Sequence, residues 1–133
     1  MEKFKEDHKV DVLIKPQADI DTSDVTGAVY FKMDGYREAA VLAACEGPGA
    51  GKILTVQLKQ ATAANGTGSK NLGSAFTATA VASEDLSVVA QALVEEMDHK
   101  NGFIYISATI GTDKGSAVDG SALLVRTKGR FSE

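Results

Sequence analysis

Tryptophan is absent from this sequence, aromatic residues make up only 6% of it, and Cys45 is its single cysteine. A lone cysteine excludes an internal disulfide and a zinc site built from several thiolates. It reads as a small, inert hydrophobe of a reducing compartment. Long apolar runs are missing too: nothing approaches the roughly 20 residues of a membrane-crossing helix. The first residues, Met1 to Asp7, are charged and lack the apolar region of a secretory signal. The expectation is a chain made in the cytoplasm that does not enter a membrane. Finally, no basic excess exists. The formal net charge is −4, so the electrostatic footprint of a nucleic-acid binder is not there.

What remains is ordinary globular chemistry, 44% hydrophobic and 24% charged over 133 residues. A chain of this length buries roughly two-thirds of its unfolded surface and needs neither metal nor disulfide to fold. Its apolar share is tilted toward alanine, which makes for a thin core and leaves room for stabilisation by neighbouring subunits.

Alternation dominates the chain. Val10, Val12 and Ile14 alternate with Lys9, Asp11 and Leu13, as in a half-buried strand, which Lys15-Pro16 is expected to end because proline cannot donate to a ladder. Val29, Phe31 and Met33 alternate with Tyr30 and Lys32, which predicts a strand over 27–33, ended by the turn pair Asp34-Gly35. Arg37 to Cys45 is a run of small apolar residues without polar spacing, read as a buried strand with helix as its alternative. Glycines then break the chain at 47–51. From Lys52 to Lys59, Ile53, Thr55, Gln57 and Lys59 face one way, and Leu54, Val56 and Leu58 the other. A polar loop at 63–70 is followed by a Thr/Ala strand over 74–82. Residues 84–98 carry two signals: Leu86, Val89, Ala90, Leu93, Val94 and Met97 recur at helical spacing, whereas Val88-Val89 is β-branched and its surroundings read as strand. The reading favours a strand over 87–94 followed by a helical turn. Asp98 to Gly102 has hairpin-type turn chemistry. Phe103 to Ile110 alternates strictly, and Ser121 to Arg126 makes the last strand. No βαβ order appears. The expected fold is mainly β, an antiparallel β-sandwich or barrel of about seven or eight short strands with possible short helix only near 84–98. Residues 1–9 are expected as an N-terminal arm and 10–133 as a single domain.

Motifs that carry chemistry are weak. Gly47-Pro48-Gly49-Ala50-Gly51-Lys52-Ile53 resembles a phosphate loop, but that loop needs four residues before its Gly-Lys pair, then Ser or Thr, and then a helix. This segment has the wrong interval, Ile53 in place of the hydroxyl, and a strand ahead of it. It reads as a turn. His8 and His99 are the only histidines and have no recognisable nucleophile or orienting partner in sequence. Asp19, Asp21 and Asp24, and Glu95, Glu96 and Asp98, form two acidic clusters. The first lacks the turn glycine and closing glutamate of a calcium loop, and both read as solvated faces. Asn65-Gly66-Thr67 matches the glycosylation sequon but has no secretory signal to bring it to that machinery. The chain is accordingly not expected to be an enzyme, and no catalytic residue, metal or cofactor is assigned.

Several stretches carry a family resemblance. Lys52 to Thr62 (KILTVQLKQAT) is followed by Gly66-Thr67-Gly68-Ser69-Lys70. Then come Val94 to Asp98, Asn101-Gly102-Phe103 leading into a strand, and a terminal Gly129-Arg130-Phe131. Over roughly residues 25–133 this order resembles a family of small virion structural proteins of tailed bacteriophages. The resemblance implies a capsid decoration, or cement, protein that binds the major capsid protein on the capsid exterior, commonly as a homotrimer. Its alternatives are a head–tail connector, tail terminator or tail-tube subunit, and, from another class, a ligand-binding β module. Residues 83–98 and the charged arm before Val10 depart from the family pattern. Within this frame Phe4, Lys5 and Lys9 of the arm, and Arg126, Arg130 and Phe131 near the C-terminus, are the candidate interface residues, since Arg and aromatic side chains anchor interfaces.

Overall fold

The structure is a computed structural model that describes residues 8–17, 20, 25–82, 84–113 and 118–128. Ten strands among these residues form two antiparallel sheets facing each other across one apolar core. The strands are β1 (His8–Gln17), β2 (Val25–Thr26), β3 (Phe31–Lys32), β4 (Glu38–Cys45), β5 (Ile53–Ala61), β6 (Lys70–Asn71), β7 (Phe76–Thr79), β8 (Leu86–Leu93), β9 (Tyr105–Thr112) and β10 (Gly120–Thr127). The first sheet has the order β1-β10-β4-β8. The second runs β2-β9-β5-β6, with β3 also pairing β9 and β7 also pairing β5. The architecture is an open sandwich and not a barrel. The strand count exceeds the expected seven or eight because three two-residue strands are too short to leave a period in sequence.

Alternation decides which face each strand buries. In β5, Leu54, Val56 and Leu58 are buried and the intervening residues half-buried, as the sequence predicts. In β9, Ile106, Ala108 and Ile110 meet them from the neighbouring strand through the pairs Gln60↔Ile106, Leu58↔Ala108 and Val56↔Ile110. The first sheet answers with Val41, Ala43 and Cys45 of β4, Val88 and Ala90 of β8, and Ala122 and Leu124 of β10. The strand over residues 87–94 is also found, as β8, followed by a single 3-10 turn at Val94–Glu96. There Glu96 Oε1 accepts the Leu93 N–H at 2.7 Å.

Four expectations are corrected. The β1 stripe is split, and the strand runs on through Pro16 to Gln17, which pairs with Gly120. A register shift between Val12↔Leu123 and Ile14↔Ala122 inserts one extra residue, so Leu13 and Ile14 are both buried while Val10 and Val12 face outward. A bulge changes which side chains share a face, which strict alternation cannot foresee. The strand over 27–33 is interrupted. From Thr26↔Thr109 to Phe31↔Ile106 this segment takes five steps against three on β9, looping Ala28 and Val29 into solvent. Gly27 permits that detour, because a Cβ there would lie 2.6 Å from Ser107 Oγ and 3.1 Å from Leu13. Third, the strand expected at Arg37–Cys45 is found as β4 but is buried on one face only: Ala39, Val41, Ala43 and Cys45 are inside, and Leu42 and Ala44 are exposed. Last, 98–102 is no hairpin. It links β8 of one sheet to β9 of the other through a 3-10 turn at His99–Asn101, closed by Gly102 at φ +82°.

Candidate assembly interface

The two sheets differ in what they turn toward solvent. On the second sheet the outward residues are mostly polar: Thr55, Gln57 and Lys59 follow the half-buried Ile53 on β5, and Thr26 and Thr109 share a 2.7 Å hydrogen bond across β2 and β9. On the first sheet they are apolar. Among the described residues, six of the eight large hydrophobic side chains that are exposed lie on this one face: Val10, Val12, Leu42, Val89, Leu93 and Leu123. Single exposed apolar residues are ordinary; a contiguous set marks an interaction surface.

Strand register makes this set contiguous. Val12 lies opposite Leu123, Leu123 opposite Leu42, and Leu42 opposite Val89. One unbroken row thus crosses all four strands, about 14 Å at the usual strand spacing. Val10, Val125, Ala40 and Gln91 form the row beside it. No charge falls in either row. Polar residues enter in the next rows out, Ser87 and Ser121 on either side of Ala44, and Thr127 and Glu38 beside the exposed Leu93. An apolar centre inside a polar rim is the usual anatomy of a protein–protein contact.

Of the interface residues proposed from sequence, Lys9 and Arg126 lie among the described residues. Phe4, Lys5, Arg130 and Phe131 lie outside the described residues, as do Asp19, Asp21 and Asp24. Lys9 is exposed, with its Nζ 4.0 Å from Asp11 Oδ1. Arg126 is turned inward, against its reading as a surface anchor. Its Nη2 donates to Asp11 Oδ2 at 2.7 Å and its Nη1 to the Lys32 carbonyl at 2.8 Å. The guanidinium lies 4.6 Å from the Tyr36 ring centre and 5.3 Å from that of Phe31. One side chain of β10 thereby ties both sheets and β1 together.

The remaining candidates have structural explanations. Residues 47–52 form a turn between β4 and β5, where the Gly47 N–H donates to Asp85 Oδ1 and the Lys52 N–H to the Gly49 carbonyl. No helix follows it. His99 Nε2 is 2.6 Å from the Val94 carbonyl oxygen, inside the turn that joins the sheets. Asp98 accepts from Lys70 at 2.6 Å and from Asn101, and these bonds hold its carboxyl below the usual carboxylate range. Burial pushes the Cys45 thiol above its ordinary value, as expected of an unreactive cysteine. Among the described residues no group of His, Cys, Asp and Glu could hold a metal ion, and no helix is long and apolar enough to cross a membrane.

The apolar outer face escaped the sequence reading for an identifiable reason. In β4, Ala40, Leu42 and Ala44 alternate with Ala39, Val41, Ala43 and Cys45, so both faces are apolar and the run passes for a buried strand. An exposed face of this kind is visible only once the strand's position in the sandwich is known.

No family model and no curated protein matches this sequence. Solved structures do match it in shape. A chain of infectious bursal disease virus, Gx strain, aligns over 94% of this chain and 33% of its own, with a TM-score of 0.52 at 10% identity. VP2 of a subviral particle of the same virus aligns over 90% of this chain and 32% of its own, with a TM-score of 0.53 at 11% identity. The Clostridium thermocellum xylanase 10B modules CBM22-1-GH10, complexed with xylohexaose, align over 83% of this chain and 20% of their own, with a TM-score of 0.53 at 13% identity. This chain therefore spans about a third or less of each. At such identities the likeness is one of fold. It is a β-sandwich shared by virus-particle chains and a carbohydrate-active enzyme's modules.

Proposed function

We propose that this protein is a virion structural subunit of a tailed bacteriophage, a decoration protein that docks on the major capsid lattice and stabilises the head. The observation that carries the reading is the row Val12–Leu123–Leu42–Val89, an uncharged apolar stripe across a whole sheet with no cover among the described residues. Such a face is costly to leave in water and is stabilising once a partner covers it. A sandwich fold seen in virus-particle chains and the motif order that resembles small phage virion proteins both favour an assembly role. A homo-oligomer, with a trimer expected from the resemblance, would place several copies of the face on one lattice junction. Attachment to the outside of the capsid follows from the same reading.

The test is a charge placed in the row. Leu42 is 40% exposed at the centre of the face, so Leu42→Lys leaves the core untouched and is expected to shift stability by less than about 1 kcal/mol. Occupancy on phage heads lacking the native protein, read by quantitative gel densitometry, is expected to fall at least tenfold. Undiminished occupancy by a folded Leu42→Lys variant would remove this face from the interface.

A further inference from the structure

A sheet edge exposes unpaired backbone donors and acceptors, and proteins usually protect such edges. Three of the four edges here are protected. On the second sheet the flanking strands β2, β3, β6 and β7 are only two to four residues long. On the first sheet β1 carries Lys9, Asp11, Lys15 and Pro16 and two register shifts. Strand β8, the opposite edge of that sheet, has none of these devices. Its eight residues, LSVVAQAL, include no charge, no proline and no bulge against β4.

The ladder shows which of its groups are free. The Val94 N–H donates to the Arg37 carbonyl, and the Leu93 N–H turns the other way, to Glu96 Oε1. In an antiparallel pair this alternation continues along the strand. The N–H and C=O groups of Ser87, Val89 and Gln91 therefore point away from β4. Among the described residues they have no hydrogen-bond partner. Beside this edge lies an open-sided cleft of about 400 Å³, with Leu72, Phe76 and Ala92 as its apolar lining and Glu96 and Gln91 at its margin.

We infer that β8 is a strand-addition site, which accepts an extended segment of a different protein chain bearing an apolar residue for the cleft and a Lys or Arg opposite Glu96. The inference deepens the assembly reading and rests on it for the setting in which the partner is met. Main-chain bonds to Ser87, Val89 and Gln91 supply affinity, and the cleft and the carboxylate supply selectivity. A residue of the added strand opposite Ala92 faces inward, toward the cleft, because side chains directly opposite share a face. Charge selects the partner. Glu84 and Asp85 precede the open stretch and Glu95 and Glu96 follow it. Two copies pairing through β8 about Val89 would set the acidic end of each against the acidic end of the other, which is unfavourable. Basic flanks on a different chain would be attracted at both ends.

Backbone amide NMR of the full chain tests this with two capped probe peptides long enough to reach from Asp85 to Glu96, Lys-Thr-Val-Thr-Val-Thr-Val-Thr-Val-Thr-Val-Lys and the same sequence with Glu at both ends. The basic peptide is expected to shift the Ser87, Val89 and Gln91 signals saturably and to bind at least tenfold more tightly than the acidic one. Glu96→Gln is expected to reduce that preference. Val89→Pro is expected to abolish binding and leave the spectrum of β5 and β9 unchanged, since its missing donor is one that β4 does not use. No response of β8 to the basic peptide at millimolar concentration, or equal affinity for both peptides, overturns the inference. So do β8 shifts that depend on protein concentration alone, which would make a second copy the occupant. Because Leu42 faces the sheet exterior and not this edge, loss of head occupancy in Leu42→Lys without peptide binding here would defeat only the strand-addition site.

Discussion

Replacing Arg126 by alanine is expected to lower the unfolding free energy by about 3 kcal/mol, within the range for breaking a buried ion pair by removing one partner. The side chain is 11% exposed and its partner Asp11 21% exposed. Truncation leaves the Asp11 carboxylate in a shielded position with its 2.7 Å donor gone, and the Lys32 carbonyl loses its 2.8 Å donor as well. The packing of the guanidinium on Tyr36 and Phe31 is lost together with the charge. Asp11→Ala is expected to cost less, about 1–2 kcal/mol, because the arginine keeps its carbonyl and both rings. The double variant is expected to cost less than the sum of the two, as residues in one network do not act independently. Urea unfolding of the three variants measures all of this. A loss below about 1 kcal/mol for Arg126→Ala would show that the two sheets do not depend on this tie.

Neighbouring leucines give the second large effect. Leu124 is fully buried between the sheets and Leu123, one residue earlier on β10, is 39% exposed on the apolar outer face. Leu124→Ala is expected to cost about 3–4 kcal/mol, a transfer loss plus a cavity that rigid sheets cannot close. Leu123→Ala is expected to cost under about 1 kcal/mol, because much of its surface is already wet. Thermal or denaturant unfolding of the isolated protein reads both. The contrast separates folding from assembly: Leu124 holds the sandwich, whereas Leu123 belongs to a face whose apolar character folding does not require. Equal costs at the two positions would mean that the outer face is covered in the isolated chain.

Legibility in sequence followed local pattern. Strand β5 was readable because apolar and polar residues alternate along it, and most of β9 because Ile106, Ala108 and Ile110 make the same alternating stripe, although Ser107 and Gly111 on its other face are also buried. The ambiguous stretch resolved as strand because Leu86, Val88 and Ala90 point inward and Val89 outward, a period of two that the helical spacing of the same residues had masked. Long-range features were not readable. The extra residue at Leu13 inverts the outlook of Val10 and Val12, and only the partner strand β10 reveals it. Arg126 could have been placed inside by parity, since it shares a face with Ala122 and Leu124; its charge argued the other way until Asp11 was seen beside it. The apolar outer face joins one residue from each of four strands that are far apart in sequence. No window along the chain contains it.

The most direct test of the assembly reading is the number of copies of this chain in purified phage particles, counted by quantitative mass spectrometry against the major capsid protein. The decoration role predicts a number comparable to that of the capsid protein, with chains released when particles are stripped under conditions that leave the capsid shell intact. Absence from particles would contradict the account, and a single ring of copies would place the protein at the head–tail junction instead of across the lattice.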